Sequence, residues 1–221
     1  MRVILSIDIG IRTLSMYKER FDDDSAKNIK CCQYKYDKDG TATSDFISYY
    51  KQLFSLGSCL FINKKDISHN NNAKFISKEV IFNLYDHLDK LYKDGVFDDV
   101  TDIIIEKQLH TNPNAQIIEH HIYGYFLLIY RNFKNTVLFQ SKNKTRVLGA
   151  PLKCIDSKTK RLRKVRKNER KKWSTDIAKE IILCRNDHET LDYIYNKNKQ
   201  KKDDLADTIV QCLAYNILSL L

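Results

Sequence analysis

The sequence predicts an α/β domain with a mixed five-stranded sheet flanked by helices. Short apolar runs rich in β-branched residues first follow one another and then alternate with longer segments whose apolar residues recur at helical spacing. The resulting order is βββαβαβαα. Consecutive strands favour antiparallel pairing, whereas strands joined through a helix favour parallel pairing. The 221 residues, 43% of them hydrophobic, are sufficient for one domain with a buried core.

The first third of the chain carries three predicted strands. Residues 2–9 form an apolar run, and residues 13–20 and 28–36 provide the next two strands. The polar segments 22–25 and 38–40 have the composition of turns. Together these segments predict an antiparallel three-stranded meander.

The rest of the chain alternates between helices and strands. The predicted elements are, in order, a helix from the N-cap Ser77 to Gly95, a strand at 101–107, an aromatic-rich helix that begins at Pro113, a strand at 136–139, and helices at 173–183 and 203–220.

Two stretches do not fit this regular alternation. Residues 41–75 show no clear period and are interpreted as an insertion. Residues 150–172 form an extended basic segment. The whole chain, 1–221, is therefore predicted to be a single domain with these two additions.

Positive charge is concentrated in one part of the chain. The net charge is +10, and residues 158–172 alone contain ten Lys or Arg and one Glu. A smaller group of lysines lies at 197–202, just before an acidic sequence. Such a concentration favours a polyanionic partner such as nucleic acid. The alternative is a solvated loop that only aids solubility.

The cysteine content indicates a reducing compartment. The six cysteines form no CxxC pair and show no zinc-type spacing, and Cys184 and Cys212 fall in apolar helical patterns. The N-terminal residues enter a strand directly, and no apolar run approaches the roughly 20 residues that span a bilayer. We therefore expect an intracellular, soluble protein that does not bind a membrane.

Four acidic residues, two at the ends of predicted strands and two on a predicted helix, form the candidate site. Asp8 ends the first apolar run, Glu106 ends the run Ile103–Ile105, and Asp204 and Asp207 lie one helical turn apart. Carboxylates at the ends of buried strands are costly unless a cation gathers them. Hard oxygen ligands suit Mg²⁺ or Mn²⁺, and two such ions can catalyse phosphoryl transfer. The set therefore predicts a metal-dependent nuclease.

Each acid also has an ordinary explanation. Acidic residues in a first helical turn offset the helix dipole, which would explain Asp203, Asp204 and Asp207. Asp8 could cap the turn at Gly10. The order of the set, in which two strand-end acids precede a helical pair, favours a common site.

The chain resembles the RuvC-type Holliday junction resolvases of the RNase H-like superfamily, most closely those of poxviruses and other large DNA viruses. The resemblance rests on SIDIGIR at 6–12, IEKQ at 105–108 and DLAD at 204–207, in this order, and it covers most of the chain. It implies an RNase H-like (RuvC-type) fold. It also implies two Mg²⁺ ions per site, which Mn²⁺ can replace, with the ligands Asp8, Glu106, Asp204 and Asp207.

The resemblance further implies a catalytic lysine after the strand that follows the long helix. Lys144 fits this position best, and Lys142 is the alternative. The expected protein is a homodimeric endonuclease of DNA recombination and repair that nicks four-way junctions symmetrically and leaves 5′ phosphates. It would need no small-molecule cofactor, and a viral version would act in the host cytoplasm. The stretches 41–75 and 150–172 exceed the compact family pattern and bear on substrate preference.

Three other functions stay open at this point. A nuclease of the same superfamily could act on other branched DNA or on RNA–DNA hybrids. The pattern of Asp8, Gly10 and Thr13 also begins the phosphate loop of actin-like ATPases and sugar kinases, although the chain lacks a second Gly-rich loop. Finally, a non-catalytic nucleic-acid binder would depend on the basic residues 158–172 alone.

Overall fold

A five-stranded sheet forms the centre of the molecule. The computed structural model describes residues 1–38, 41–68, 76–156, 159–198 and 202–221. The strands of the central sheet are β1 (Arg2–Ile9), β2 (Thr13–Phe21), β3 (Gly57–Asp66), β4 (Asp102–Lys107) and β5 (Asn135–Gln140). Their spatial order is β3-β2-β1-β4-β5.

The sheet is mixed, as the sequence predicts. β2 pairs antiparallel with both β1 and β3, whereas β1, β4 and β5 run parallel. The carboxyl ends of the three parallel strands therefore meet at one edge of the sheet, which is where ligand sites form in α/β folds. The predicted mixed five-stranded sheet flanked by helices is confirmed.

Helices cover both faces of the sheet. They are α1 (Asp23–Asn28), α2 (Ser44–Gln52), α3 (Lys78–Lys93), α4 (Pro113–Tyr130), α5 (Ser141–Val147), α6 (Lys167–Cys184), α7 (His188–Asp192) and α8 (Lys202–Leu220). Apolar residues of α3 and α4 pack on one face, and those of α2, α6 and α8 form a second core on the other. None of the helices within the described ranges is long and apolar enough to cross a membrane.

The third strand lies at a different place from the prediction. Residues 28–36 do not form a strand of the sheet, and β3 at Gly57–Asp66 takes that position. Cys31, Cys32 and Tyr36 of this segment pack, half-buried, against the core that contains α8, and Tyr36 forms an isolated antiparallel bridge with Ala42. The stretch 41–75, interpreted as an insertion, thus supplies an edge strand of the sheet itself.

The polar segment 22–25 is the start of a helix rather than a turn. The Asp22 carboxylate accepts hydrogen bonds from the backbone N–H groups of Asp24 and Ser25, which caps α1. Asp39 and Gly40, in the predicted turn at 38–40, lie outside the described residues.

The basic segment contains regular structure. A two-stranded antiparallel hairpin, β6 (Lys153–Ile155) and β7 (Leu162–Lys164), precedes α6. α6 begins at Lys167, earlier than the predicted 173, because the Glu169 carboxylate accepts a 2.8 Å hydrogen bond from the Arg166 N–H. Within the basic run, Lys158 lies outside the described residues.

A buried ion pair fixes α6 against the sheet. Arg185, just after α6, lies 2.7 Å from the fully buried Glu19 carboxylate of β2. The amide of Asn216 on α8 donates a 2.8 Å hydrogen bond to the other Glu19 oxygen. Helices α6 and α8, which both carry side chains of the candidate site, are thereby held to the same strand.

Candidate active site

Two strand-end carboxylates meet at the edge where the parallel strands end. Side chains alternate along a strand, so Asp8 of β1 lies on the same face as Ile4, and Glu106 of β4 lies on the same face as Ile104. Ile4 and Ile104 belong to the core that contains α8, so both acids face this helix. The two carboxyl groups are hydrogen-bonded to each other. Burial and the neighbouring Glu106 hold the pKa of Asp8 well above its usual range.

The ionised partner of this pair is Glu106. Burial favours its protonated form, but the Lys144 ammonium and the Asp8 hydrogen bond outweigh this, and the pKa of Glu106 is lowered. Two carboxyl groups forced together in this way mark a position where a cation is favourable.

Lys144 places its ammonium group among these acids. It lies on α5, directly after β5, and only 5% of the residue is exposed. Its Nζ is 2.9 Å from Glu106 Oε1 and 3.5 Å from Asp207 Oδ2. Burial opposes its charge, but Asp207, Glu106 and Asp8 together raise the pKa of Lys144 above its ordinary value. The alternative, Lys142, is exposed.

Buried hydrogen bonds made by α8 fix the position of its two acids, Asp204 and Asp207. Gln211, one turn after Asp207, donates 3.2 Å hydrogen bonds to Ser6 Oγ and to the Ile7 carbonyl. This contact fixes the rotation and height of α8 above β1. Asp207 then faces Lys144, and its other oxygen accepts a 2.5 Å hydrogen bond from Ser174 of α6.

Asp204 has a different lysine partner. Its Oδ2 lies 3.0 Å from the ammonium group of Lys64 on β3 and 3.5 Å from the Thr13 hydroxyl. Lys64 reaches this position because it pairs with Ser15, which in turn pairs with Asp8, so all three side chains share one face.

The neighbouring acid, Asp203, belongs to another ion pair. Lys171 of α6 binds its carboxylate, and although burial opposes ionisation, this hydrogen bond lowers the pKa of Asp203. Asp203 therefore anchors the start of α8 to α6.

The structure thus brings most of the sequence-predicted site residues together. Asp8, Glu106, Lys144 and Asp207 form one cluster, and Asp204 lies one turn earlier on α8, beside Lys64. Sequence reasoning missed four contributors that contact these acids or fix their position: Lys64, Lys171, Ser174 and Gln211. Of these, only the place of Gln211, one turn after Asp207 in an apolar helix, gave a local signal.

Comparisons with solved structures identify the fold. The crystal structure of Fowlpox virus resolvase in complex with its substrate Holliday junction DNA matches with a TM-score of 0.54 and 19% identity, over 99% of each chain. Thermus thermophilus RuvC matches with a TM-score of 0.52 and 10% identity, over 98% of this chain and 95% of RuvC. The chain has the RuvC-type resolvase fold. Because the identities are only 19% and 10%, these matches show a shared fold and nothing further. This fold is the one that the sequence resemblance implies.

Sequence relatives of this chain occur in invertebrate iridescent viruses. Uncharacterized protein 170L of Invertebrate iridescent virus 6 is 36% identical over 126 residues, which is 53% of this chain and 50% of the relative. The chain spans about half the length of the curated relatives it matches. No protein-family model matches it.

The oxygen atoms offered by the acids of the candidate site suit a hard divalent cation. The acidic side chains that converge here offer carboxylate oxygens, which Mg²⁺ and Mn²⁺ prefer, and the close approach of Asp8 to Glu106 raises the pKa of Asp8 in the absence of a cation. As they stand, no three His, Cys, Asp or Glu side chains in the described ranges are arranged to hold a metal ion. The Lys144 ammonium occupies the space between Glu106 and Asp207 instead.

A basic cavity opens beside the acids of the resolvase-fold site. It has a volume of about 350 Å³, and Glu106, Lys144 and Asp207 form part of its wall. Cations line much of the rest, namely the exposed Lys142 of α5, the exposed Lys167 and Arg170 of α6, and the half-buried Lys171 of α6. Leu109, Ser141, Thr145 and Ser174 complete the lining. Negative charge at the floor and positive charge at the rim suit a phosphodiester whose reacting phosphate faces bound cations.

Proposed function

We propose that this protein is a Mg²⁺-dependent endodeoxyribonuclease that resolves four-way DNA junctions. One observation carries the proposal: Asp8, Glu106 and Asp207, distant in sequence, converge with Lys144 at the carboxyl edge of a RuvC-type sheet. The basic cavity beside these groups supports a nucleic-acid substrate. Fowlpox virus resolvase, which has the same fold, has Holliday junction DNA as its substrate.

Four carboxylates would hold the metal ions. In this proposal the ligands are Asp8, Glu106, Asp204 and Asp207, with Mn²⁺ able to replace Mg²⁺. Two such ions would supply activation of a water molecule and stabilisation of the leaving oxygen of the cleaved phosphodiester. Asp8 would bind as a carboxylate, and Ser174 holds one oxygen of Asp207.

Lys144 is the proposed catalytic cation of the chain itself. Its ammonium group is buried, positively charged and held between Glu106 and Asp207. Lys144 also forms part of the cavity wall, so its ammonium would face the substrate once the carboxylates were engaged by metal. There it stabilises negative charge that develops on the phosphate. Lys142 and Arg170 at the rim bind neighbouring phosphates.

Resolution of a four-way junction needs two cuts in strands related by symmetry. The chain provides one acidic cluster, so we propose that it acts as a homodimer with one cluster per subunit. Each cut leaves a 5′ phosphate. The products are two nicked duplexes that a ligase can seal.

A synthetic four-way junction tests the proposal. Purified protein is incubated with labelled junction in Mg²⁺, in Mn²⁺ or in EDTA, and the nicks are mapped on a sequencing gel. Paired nicks that require a divalent ion are the expected result. Asp8→Asn and Glu106→Gln should abolish cleavage but leave junction binding, with Asp45→Asn on α2 as the matched control.

The same assay separates the alternative substrates. Duplex DNA, flaps and RNA–DNA hybrids of the same sequence are compared with the junction in parallel. Faster cleavage of a hybrid or a flap would assign the protein to another substrate within the superfamily. Metal-independent binding without any cleavage would identify a non-catalytic DNA binder.

A further inference from the structure

The β6–β7 hairpin has two chemically different faces. Its strands pair Lys153 with Lys164, Cys154 with Arg163, and Ile155 with Leu162. Because side chains alternate across a strand, Cys154 and Arg163 share one face, and the other two pairs share the opposite face. We call the face formed by Lys153, Ile155, Leu162 and Lys164 the outer face.

The inner face ties the hairpin to α6. Arg163 lies 2.9 Å from the Asp156 carboxylate and 2.6 Å from Glu169 near the start of α6. Hydrogen bonding to Asp156 and Glu169 raises the pKa of the Arg163 guanidinium above its usual range. A further backbone hydrogen bond of 3.2 Å joins Val165 to Leu152 at the base of the hairpin. These contacts fix which face points outward.

The outer face exposes apolar side chains within a basic surface. Ile155 and Leu162, which are cross-strand partners, are 69% and 65% exposed. Lys153 and Lys164 stand beside them, also exposed, and no acidic side chain lies on this face. A second copy of this basic chain is disfavoured as the occupant, because like charges would meet.

The hairpin is joined at both ends to walls of the active-site cavity. It follows α5, which carries Lys144, and it leads into α6, where Lys167, Arg170 and Lys171 line the same cavity. A DNA strand lying in the cavity would therefore pass close to the hairpin. An intact duplex offers phosphates to the lysines but hides its base faces in the stack. Aliphatic side chains reach the base faces only where stacking is interrupted.

We propose that the outer face of the hairpin binds DNA at an interruption of base stacking, with Ile155 and Leu162 against unstacked bases and Lys153 and Lys164 on the flanking phosphates. The hairpin then determines the preference for branched DNA over continuous duplex. This inference rests on the proposed function and adds the element that selects the substrate.

DNA-binding measurements under conditions that prevent cleavage test the inference. The double variant Ile155→Ser/Leu162→Ser is compared with the unaltered protein by fluorescence anisotropy, in EDTA, on a four-way junction and on a duplex of equal length. Affinity for the junction should fall by about tenfold, while affinity for the duplex changes little. The control Phe82→Ser, an exposed apolar residue on α3 across the sheet, should alter neither.

A second variant tests the lysines of the same face. Lys153→Gln/Lys164→Gln should weaken binding to junction and duplex alike. It should also make binding less sensitive to salt. The negative slope of log affinity against log salt concentration should become shallower by about 2, since each phosphate contact contributes roughly 0.9. Circular dichroism and thermal melting confirm that each variant is folded.

Three outcomes would overturn the inference. Unchanged junction affinity in the Ser/Ser variant is one, and an equal loss on junction and duplex is another. Loss of self-association in sedimentation, with DNA affinity intact, would instead identify the face as a contact between copies of this chain. If the unaltered protein shows no preference for the junction at all, the proposed function fails as well.

Discussion

The ammonium group of Lys64 lies 3.0 Å from a carboxylate oxygen of Asp204, one of the four proposed metal ligands. Lys64 comes from the edge strand β3 and reaches Asp204 across β2. A charge from the far edge of the sheet therefore neutralises the acid in the absence of metal. Metal binding at Asp204 has to displace it.

Loss of Lys64 should make the fold more dependent on metal. Lys64→Gln leaves Asp204 without its cation and should lower the free energy of unfolding in EDTA by about 1 kcal/mol, a modest value because Asp204 is partly exposed. Added Mn²⁺ should raise the melting temperature more in this variant than in the unaltered protein. Calorimetry measures both effects.

Lys65 provides the matched control for that experiment. It is the next residue of β3, is exposed and points to the opposite face. Lys65→Gln should leave the melting temperature in EDTA and its response to Mn²⁺ unchanged. Equal behaviour of the two variants would show that Lys64 and the metal do not compete for Asp204.

Lys144 and Lys142 should separate catalysis from binding. Lys144→Met removes the cation from a buried acidic cluster, so it should cost about 3 kcal/mol of stability in EDTA. It should also reduce the cleavage rate at saturating junction about 100-fold or more. Lys142→Met, at the exposed rim, should weaken DNA affinity without loss of stability.

Single-turnover cleavage and denaturant unfolding measure these effects. If Lys142→Met abolished cleavage while Lys144→Met stayed active, the two roles would have to be exchanged.

The Gln211 amide should matter for the site as well as for the fold. Its replacement by Ala removes hydrogen bonds to Ser6 and Ile7 and leaves a small cavity, at a cost of about 2–4 kcal/mol. The helix that carries Asp207 then loses its fixed height above β1, and metal affinity should fall. Gln52→Ala on α2, at an exposed position, is the control for unfolding and for Mn²⁺ titration calorimetry.

The ion pair between Arg163 and Glu169 holds the β6–β7 hairpin to α6, and we call it the hairpin clamp. This ion pair should be sensitive to strong acid. Hydrogen bonds from Arg163 and from the Arg166 N–H lower the pKa of Glu169 to about 2. Because this pKa lies below the unfolded value, the clamp stabilises the hairpin above roughly pH 4 and is lost as the pH falls through about 2.

Carboxyl NMR can follow the titration of Glu169 directly. In Arg163→Gln its pKa should return toward the ordinary range near 4.3. A Glu169 that titrates near 4 in the unaltered protein would contradict the clamp.

Periodicity in the sequence was sufficient to predict the elements that carry the proposed catalytic acids. β1 and β4 are short apolar runs that end in Asp8 and Glu106, and α8 shows a helical repeat after Asp204. Local patterns of this kind are set by burial of one face or stripe, which is why they can be recognised without the fold.

Edge positions were harder to predict, for a physical reason. β3 buries little on its outer side and ends in Lys64, Lys65 and Asp66, so its apolar signal is diluted. Residues 28–36 contain apolar side chains that pack against the core without joining the sheet, which misled the prediction. The approach of Lys64 to Asp204 depends on the register of three strands, and no local pattern encodes such a register.

The parallel arrangement of β1 and β4, with α8 above them, has a consequence for how the protein matures. The charged groups of the cluster come from widely separated parts of the chain, so long-range pairing must be complete before they meet. A fragment, or a chain caught halfway through folding, holds isolated acids that cannot gather a metal ion. Under the proposed function, DNA cleavage would therefore require the whole sheet and its covering helix to be in place.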